Sequence, residues 1–106
     1  MKVKVILITL LTFFLASYLN ARGNLSTKPV EVFKGCAKCH GKDGRNEAYG
    51  RAEPLAGRDI EELRESIQFF KDSTFERKGV MLIMSRQVKH LNEQDIENLA
   101  EYISKL

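Results

Sequence analysis

The sequence predicts an all-α fold of three main helices joined by long loops. Apolar residues recur at intervals of three and four in three separate segments, and no segment sustains the apolar–polar alternation of a strand. Between the first two of those segments lies a glycine-rich stretch with few apolar residues, which reads as loop. With 106 residues, 43% of them hydrophobic and 29% charged, the chain makes one globular domain at most and is too apolar to be disordered.

In chain order, the first segment is a leader. Met1-Lys2-Val3-Lys4 is basic, Val5 to Leu15 is apolar except for Thr9 and Thr12, and Ala16, Ser17, Asn20 and Ala21 are small or polar. This is the pattern of a secretory signal peptide, residues 1–21, with cleavage expected after Ala21. The apolar run from Val5 to Leu19 is shorter than the ~20 residues of a spanning helix, so the mature form is expected to have no membrane span. If the leader is retained, the chain is tethered instead.

Cleavage leaves a domain of residues 22–106. Two of the seventeen basic residues, Lys2 and Lys4, and none of the fourteen acidic ones leave with the leader, so fifteen stand against fourteen and the net charge falls from +3 to +1. The pI near 9.0 therefore describes the leader in part, and nucleic-acid binding loses its main support. A domain this small buries a modest core and commonly needs a staple. Two cysteines within four positions cannot build a disulfide framework, so something else must complete the interior.

Residues 22–26 read as a flexible entry. Thr27 is a candidate cap for the first main helix, where Pro29 is tolerated in the first turn and Val30, Phe33 and Cys36 share a face. Gly41 to Gly57 is the loop. Asp59 caps the second helix, whose stripe is Ile60, Leu63, Ile67 and Phe70 and whose wet face is Glu61, Glu62, Glu65 and Lys71. Lys71 to Lys78 reads as a polar turn, and Val80 to Met84 as a short apolar run. Asn92-Glu93-Gln94-Asp95 approximates a capping box for the last helix, with the stripe Ile96, Leu99, Ile103 and Leu106.

The chemistry sits at the end of the first main helix. Cys36-Ala37-Lys38-Cys39-His40 is the C-x-x-C-H sequence of covalent haem attachment. Two thiols separated by two residues can add to the two vinyl groups of one haem, and the adjoining imidazole is then placed to bind the iron. A thioredoxin-type redox pair needs a βαβ context that this chain lacks. A zinc site needs a fourth ligand beyond Cys36, Cys39 and His40, for which the only other histidine is His90. A disulfide across two intervening residues would stabilise little. Haem c is the expected cofactor.

The second axial ligand decides what such an iron does. A strong-field ligand closes the iron for electron transfer, whereas an open position suits a haem-based sensor or a small peroxidase. Beyond Met1 the candidates are Met81, Met84 and His90, and spacing alone does not separate the two methionines.

The mature chain resembles the class I monohaem cytochromes c, most closely the short bacterial ones. The residues that carry the resemblance are Phe33 ahead of the C-x-x-C-H sequence, His40-Gly41-Lys42-Asp43-Gly44 after it, and the pair Pro54-Leu55. Glu61-Glu62-Leu63, the run Met84 to Leu91 and the terminal Leu99 to Leu106 continue it. The resemblance implies three main helices packed around one haem, and Met84 as the second iron ligand with Met81 the second choice. The Met81-Leu82-Ile83-Met84 approach is bulkier than the family's usual one. The resemblance also implies that the Pro54 carbonyl orients His40 and that Leu55, Ile67 and Phe70 pack on the haem. Phe33 and Tyr102 would meet where the first and last helices cross, and Tyr49 and Arg51 would approach a propionate.

The implied function is that of a periplasmic one-electron carrier, not an enzyme, with redox proteins as partners. Residues 77–91 hold Arg77, Lys78, Arg86 and Lys89 and no acid, while the last helix is acidic. That basic segment is expected to steer docking to an acidic face on a partner.

Overall fold

A computed structural model of the chain describes residues 2–22, 27–73 and 78–106. Among these residues there are five α-helices and no strand: α1 (Lys2–Arg22), α2 (Pro29–His40), α3 (Ile60–Asp72), α4 (Val80–Val88) and α5 (Glu93–Ser104). One 3-10 turn, Ala48–Gly50, lies in the loop between α2 and α3. The fold is all-α, as the periodicity requires. Residues 23–26, in the expected flexible entry, and residues 74–77, in the expected polar turn, lie outside the described residues, and Arg77 with them.

The described apolar side chains of α1 stand exposed, Leu11 and Phe14 at 72% and 79% among them. Among the described residues no helix is long and apolar enough to cross a membrane.

The core is built by α2, α3 and α5, with α4 laid against α3. Asp59 caps α3 as its sequence suggests, accepting from the backbone N–H groups of Glu61 and Glu62 at 3.0 and 3.2 Å. Leu63 and Ile67, one turn apart, carry the buried face. On α5, Ile96, Leu99, Ala100 and Ile103 are all at or below 2% exposure and form the centre of the core. The Phe33 and Tyr102 rings meet where α2 packs on α5, their centroids 5.4 Å apart at an interplanar angle of 54°.

Two elements differ from the sequence expectation. Thr27 does not cap α2: the N-cap is Lys28, with no side-chain cap, and Pro29 opens the helix. Pro29 brings no N–H to be satisfied, and the Thr27 N–H is taken up by Asp95 Oδ1 at 2.8 Å, from the far end of the chain. The apolar run from Val80 to Met84 is part of a helix that continues to Val88. Met, Leu, Gln and Arg there are good helix formers. Gly79 begins the turn at φ +67, a conformation open to glycine, and its carbonyl accepts from Leu82 and Ile83.

Asp95 joins both ends of the domain. It is 6% exposed, its Oδ2 accepts from the Asn92 N–H at 3.1 Å, and Asn92 Oδ1 accepts from the Asp95 N–H at 2.8 Å in a reciprocal capping box. Asp95→Ala strands the Thr27 and Asn92 donors together. We expect it to lower stability by about 2–3 kcal/mol. Thermal unfolding of the holoprotein checks this, and an unchanged midpoint would contradict it.

The loop after α2 is held against the end of α5. Leu55 and Ala56 donate to the Gly44 carbonyl at 2.7 and 3.1 Å, and Gly57 donates to Ile103. Gly44 lies at φ +70, where a side chain is strained and an added Cβ would come within 3.3 Å of Leu106, so glycine favours the close approach of this loop to the C-terminus.

Candidate functional site

The last turn of α2 presents Cys36, Cys39 and His40 to one side of the core. Both cysteines are half-buried. The Cys36 thiol lies 3.8 Å from the Val32 carbonyl, one turn back, and burial pushes its pKa up. The Cys39 thiol donates to the Tyr49 hydroxyl at 3.8 Å. Tyr49 takes a left-handed backbone conformation, φ 55, which a side chain rarely adopts, and this strained turn holds its hydroxyl beside Cys39.

His40 is 4% exposed, and neither of its ring nitrogens has a hydrogen-bond partner. Burial without a partner lowers the imidazole pKa and keeps the ring neutral. An orphaned buried polar group is costly in a protein interior. A neutral imidazole with a free nitrogen is the form that binds a metal.

His40 opens onto a cleft of two lobes, about 340 and 470 Å³, which share Cys36, His40, Ala52, Phe70, Met84 and Val88. Leu55, Leu63, Ile67, Leu99 and Ile103 wall the inner lobe, with Glu53, Arg58 and Ser66 as its polar lining. Arg58 is paired with Glu62. Cys39, Tyr49, Arg51, Val80, Met81 and Ile83 line the outer lobe. The lining accepts a large apolar, planar group with two thiols and one imidazole at its head, which fits haem. Among the described residues, no three His, Cys, Asp or Glu side chains are grouped as they would be to hold a bare metal ion.

The structure brings most of the sequence-derived site residues together. Leu55, Ile67 and Phe70 line the inner lobe, and Tyr49 and Arg51 the outer one. Met84 lines both lobes, while Met81, one turn earlier on α4, lines only the outer one and is 36% exposed. Pro54 is exposed and lines neither lobe. Both ring nitrogens of His40, toward which the resemblance directs the Pro54 carbonyl, are unpartnered, and the backbone following Pro54 is tied to Gly44. His90 is exposed, lines neither lobe, and borders a neighbouring hollow with Thr27 and Glu31.

The sequence reading did not anticipate Arg58, Ser66 or Val88 in the lining. Val88 follows Met84 by four residues, so recognising α4 as a helix would have found it. Arg58 and Ser66 carry no local signal.

Helices wrapped around an apolar cleft headed by two thiols and an unpartnered imidazole define the class of small covalent-haem proteins. A cytochrome c family model matches residues 27–106. Cytochrome c-553 of Desulfomicrobium norvegicum is 42% identical over 72 residues, which is 66% of this chain and 84% of that one. Cytochrome c-553 of Nitratidesulfovibrio vulgaris is 31% identical over 77 residues, covering 71% and 72% of the two chains. Cytochrome c-553 of Helicobacter pylori is 30% identical over 82 residues, covering 77% and 81%. The chain belongs to the cytochrome c family. It is a haem c protein that carries electrons to and from redox partners and is not an enzyme, and its Cys36 and Cys39 pair fits the C-x-x-C-H motif of covalent attachment.

Proposed function

We propose that this protein is a periplasmic one-electron carrier in which His40 and Met84 are the two axial ligands of the haem iron. The observation that carries the reading is the position of Met84. It lines both lobes of the cleft together with His40, whereas Met81 is half-exposed and lines one. Bound in the cleft, haem c supplies a reversible one-electron couple, and a thioether ligand raises its potential.

The remaining work falls to the chain. His40, buried and held neutral, offers one nitrogen. Leu55, Ile67 and Phe70 exclude water and keep the surroundings of low dielectric, which favours the less charged, reduced form. Residues 1–21 serve as a leader that is removed, leaving residues 22–106 as the working domain. Arg77, Lys78, Arg86 and Lys89 form a docking face for an acidic redox partner. The exposure of Lys78 and Arg86 on the α4 side of the cleft supports this reading, and added salt weakens such an association.

One preparation tests the proposal. Protein recovered from the periplasm is expected to begin at Arg22, to carry one covalent haem, and, when reduced, to take up carbon monoxide slowly because Met84 must leave first. An intact leader would contradict export with cleavage. Immediate carbon monoxide binding would contradict a closed iron.

A further inference from the structure

Met84 lies on a helix that has little to hold it. α4 is nine residues long, has no side-chain cap, and buries only Ser85 and Val88. Helices of that length are marginal without tertiary support. Beside the packing of Val88 and Met84 on the core, the support comes from three side-chain bonds to or from the end of α3. Ser85, 4% exposed and adjacent to Met84, donates its hydroxyl to the Phe70 carbonyl at 2.8 Å. Lys89, just past the end of α4, donates to the Ser73 carbonyl at 3.1 Å. In the opposite direction, the Lys71 ammonium donates to the Leu91 carbonyl, beyond α4.

The two acceptors on the α3 side lie in its last turn and at its C-cap, where carbonyls have no partner within the helix and the helix dipole favours cationic donors. The Phe70 carbonyl also takes the Ser73 N–H, and the Phe69 carbonyl takes the Ser73 hydroxyl, so the last carbonyls of α3 are tied by its own C-cap. Phe70 itself lines the cleft beside Met84, which puts the anchor and the ligand helix against the same group.

We propose that Ser85, Lys89 and Lys71 are positioning residues that latch the Met84 helix to the end of α3 and thereby set how seldom Met84 leaves the iron. The proposal rests on Met84 being the ligand. Ser85 is the main tie, because its bond is buried, while an exposed ammonium can exchange its carbonyl for water. Breaking a tie raises the population of a state in which α4 has swung away and the iron is open. An added ligand that binds only the open state then binds faster in proportion.

The test uses the oxidised holoprotein, with imidazole as probe and stopped-flow absorbance as readout. Ser85→Ala is expected to speed imidazole binding about tenfold and Lys89→Met about two- to threefold. Hydrogen exchange should show lost protection in α4 while α5 keeps its own. Asp59→Ala, which removes the cap at the other end of α3, should lower thermal stability yet leave the imidazole rate within about twofold. The latch is overturned if Ser85→Ala and Lys89→Met bind imidazole at the wild-type rate. It is also overturned if Asp59→Ala speeds binding as much as they do, since that would be general loosening. Immediate binding by the wild-type protein has a different meaning: it would overturn Met84 as ligand, and the latch with it.

Discussion

Replacing both Cys36 and Cys39 with alanine yields a chain with no covalent haem that does not hold α2, α3 and α5 together. The expectation follows from size. The family-matched domain, residues 27–106, is of a size that buries a modest core, and two cysteines within four positions cannot give it a disulfide framework. The inner faces of Leu55, Ile67, Phe70 and Met84 are turned toward the cleft and find their packing partner in haem. At about 24 cal/mol per Å³ of unfilled volume, an inner lobe of about 340 Å³ left unfilled costs up to about 8 kcal/mol. That is the scale of a small domain's entire stability. Far-ultraviolet circular dichroism should show lost helix, and a denaturing gel should show no haem stain with the chain. Haem that stays with the denatured double variant would contradict attachment at these two thiols.

Met84→Ala is the second large effect. The thioether favours ferrous iron, so its loss lowers the midpoint potential, by roughly 0.2 V within the ~0.8 V that axial ligands span. Met81→Ala should move the potential little, because Met81 lines only the outer lobe and is half-exposed. A spectroscopic redox titration of the two variants separates them. A large drop for Met81→Ala with none for Met84→Ala would reverse the assignment.

Local signals were readable along the chain and long-range ones were not. α3 and α5 combine an apolar stripe with a capping side chain, Asp59 or Asn92, and each of those bonds joins residues within three positions. The C-x-x-C-H sequence is equally local, which is why the head of the site could be identified. α4 was missed because its nine residues span fewer than three turns and Gly79 provides no side-chain cap. Thr27 looked like a cap, but its N–H is claimed by Asp95, 68 positions away. The ties of α4 join residues 15 to 20 positions apart, with no pattern in the intervening sequence to announce them. The helical stripe alone shows Ile67 and Phe70 as ordinary core residues; it was the family resemblance that implied their place against the haem, and both line the inner lobe. The path of the Pro54 loop is likewise long-range, tied through Leu55 to Gly44 and through Gly57 to Ile103.

The central claim is that Met84 and His40 close the iron between them. The near-infrared spectrum of the oxidised holoprotein tests it most directly, compared across the wild-type protein, Met84→Ala and Met81→Ala. The account predicts a methionine–haem charge-transfer band in the wild-type protein and in Met81→Ala, and none in Met84→Ala. A wild-type protein without the band, or a band that survives Met84→Ala, would contradict it.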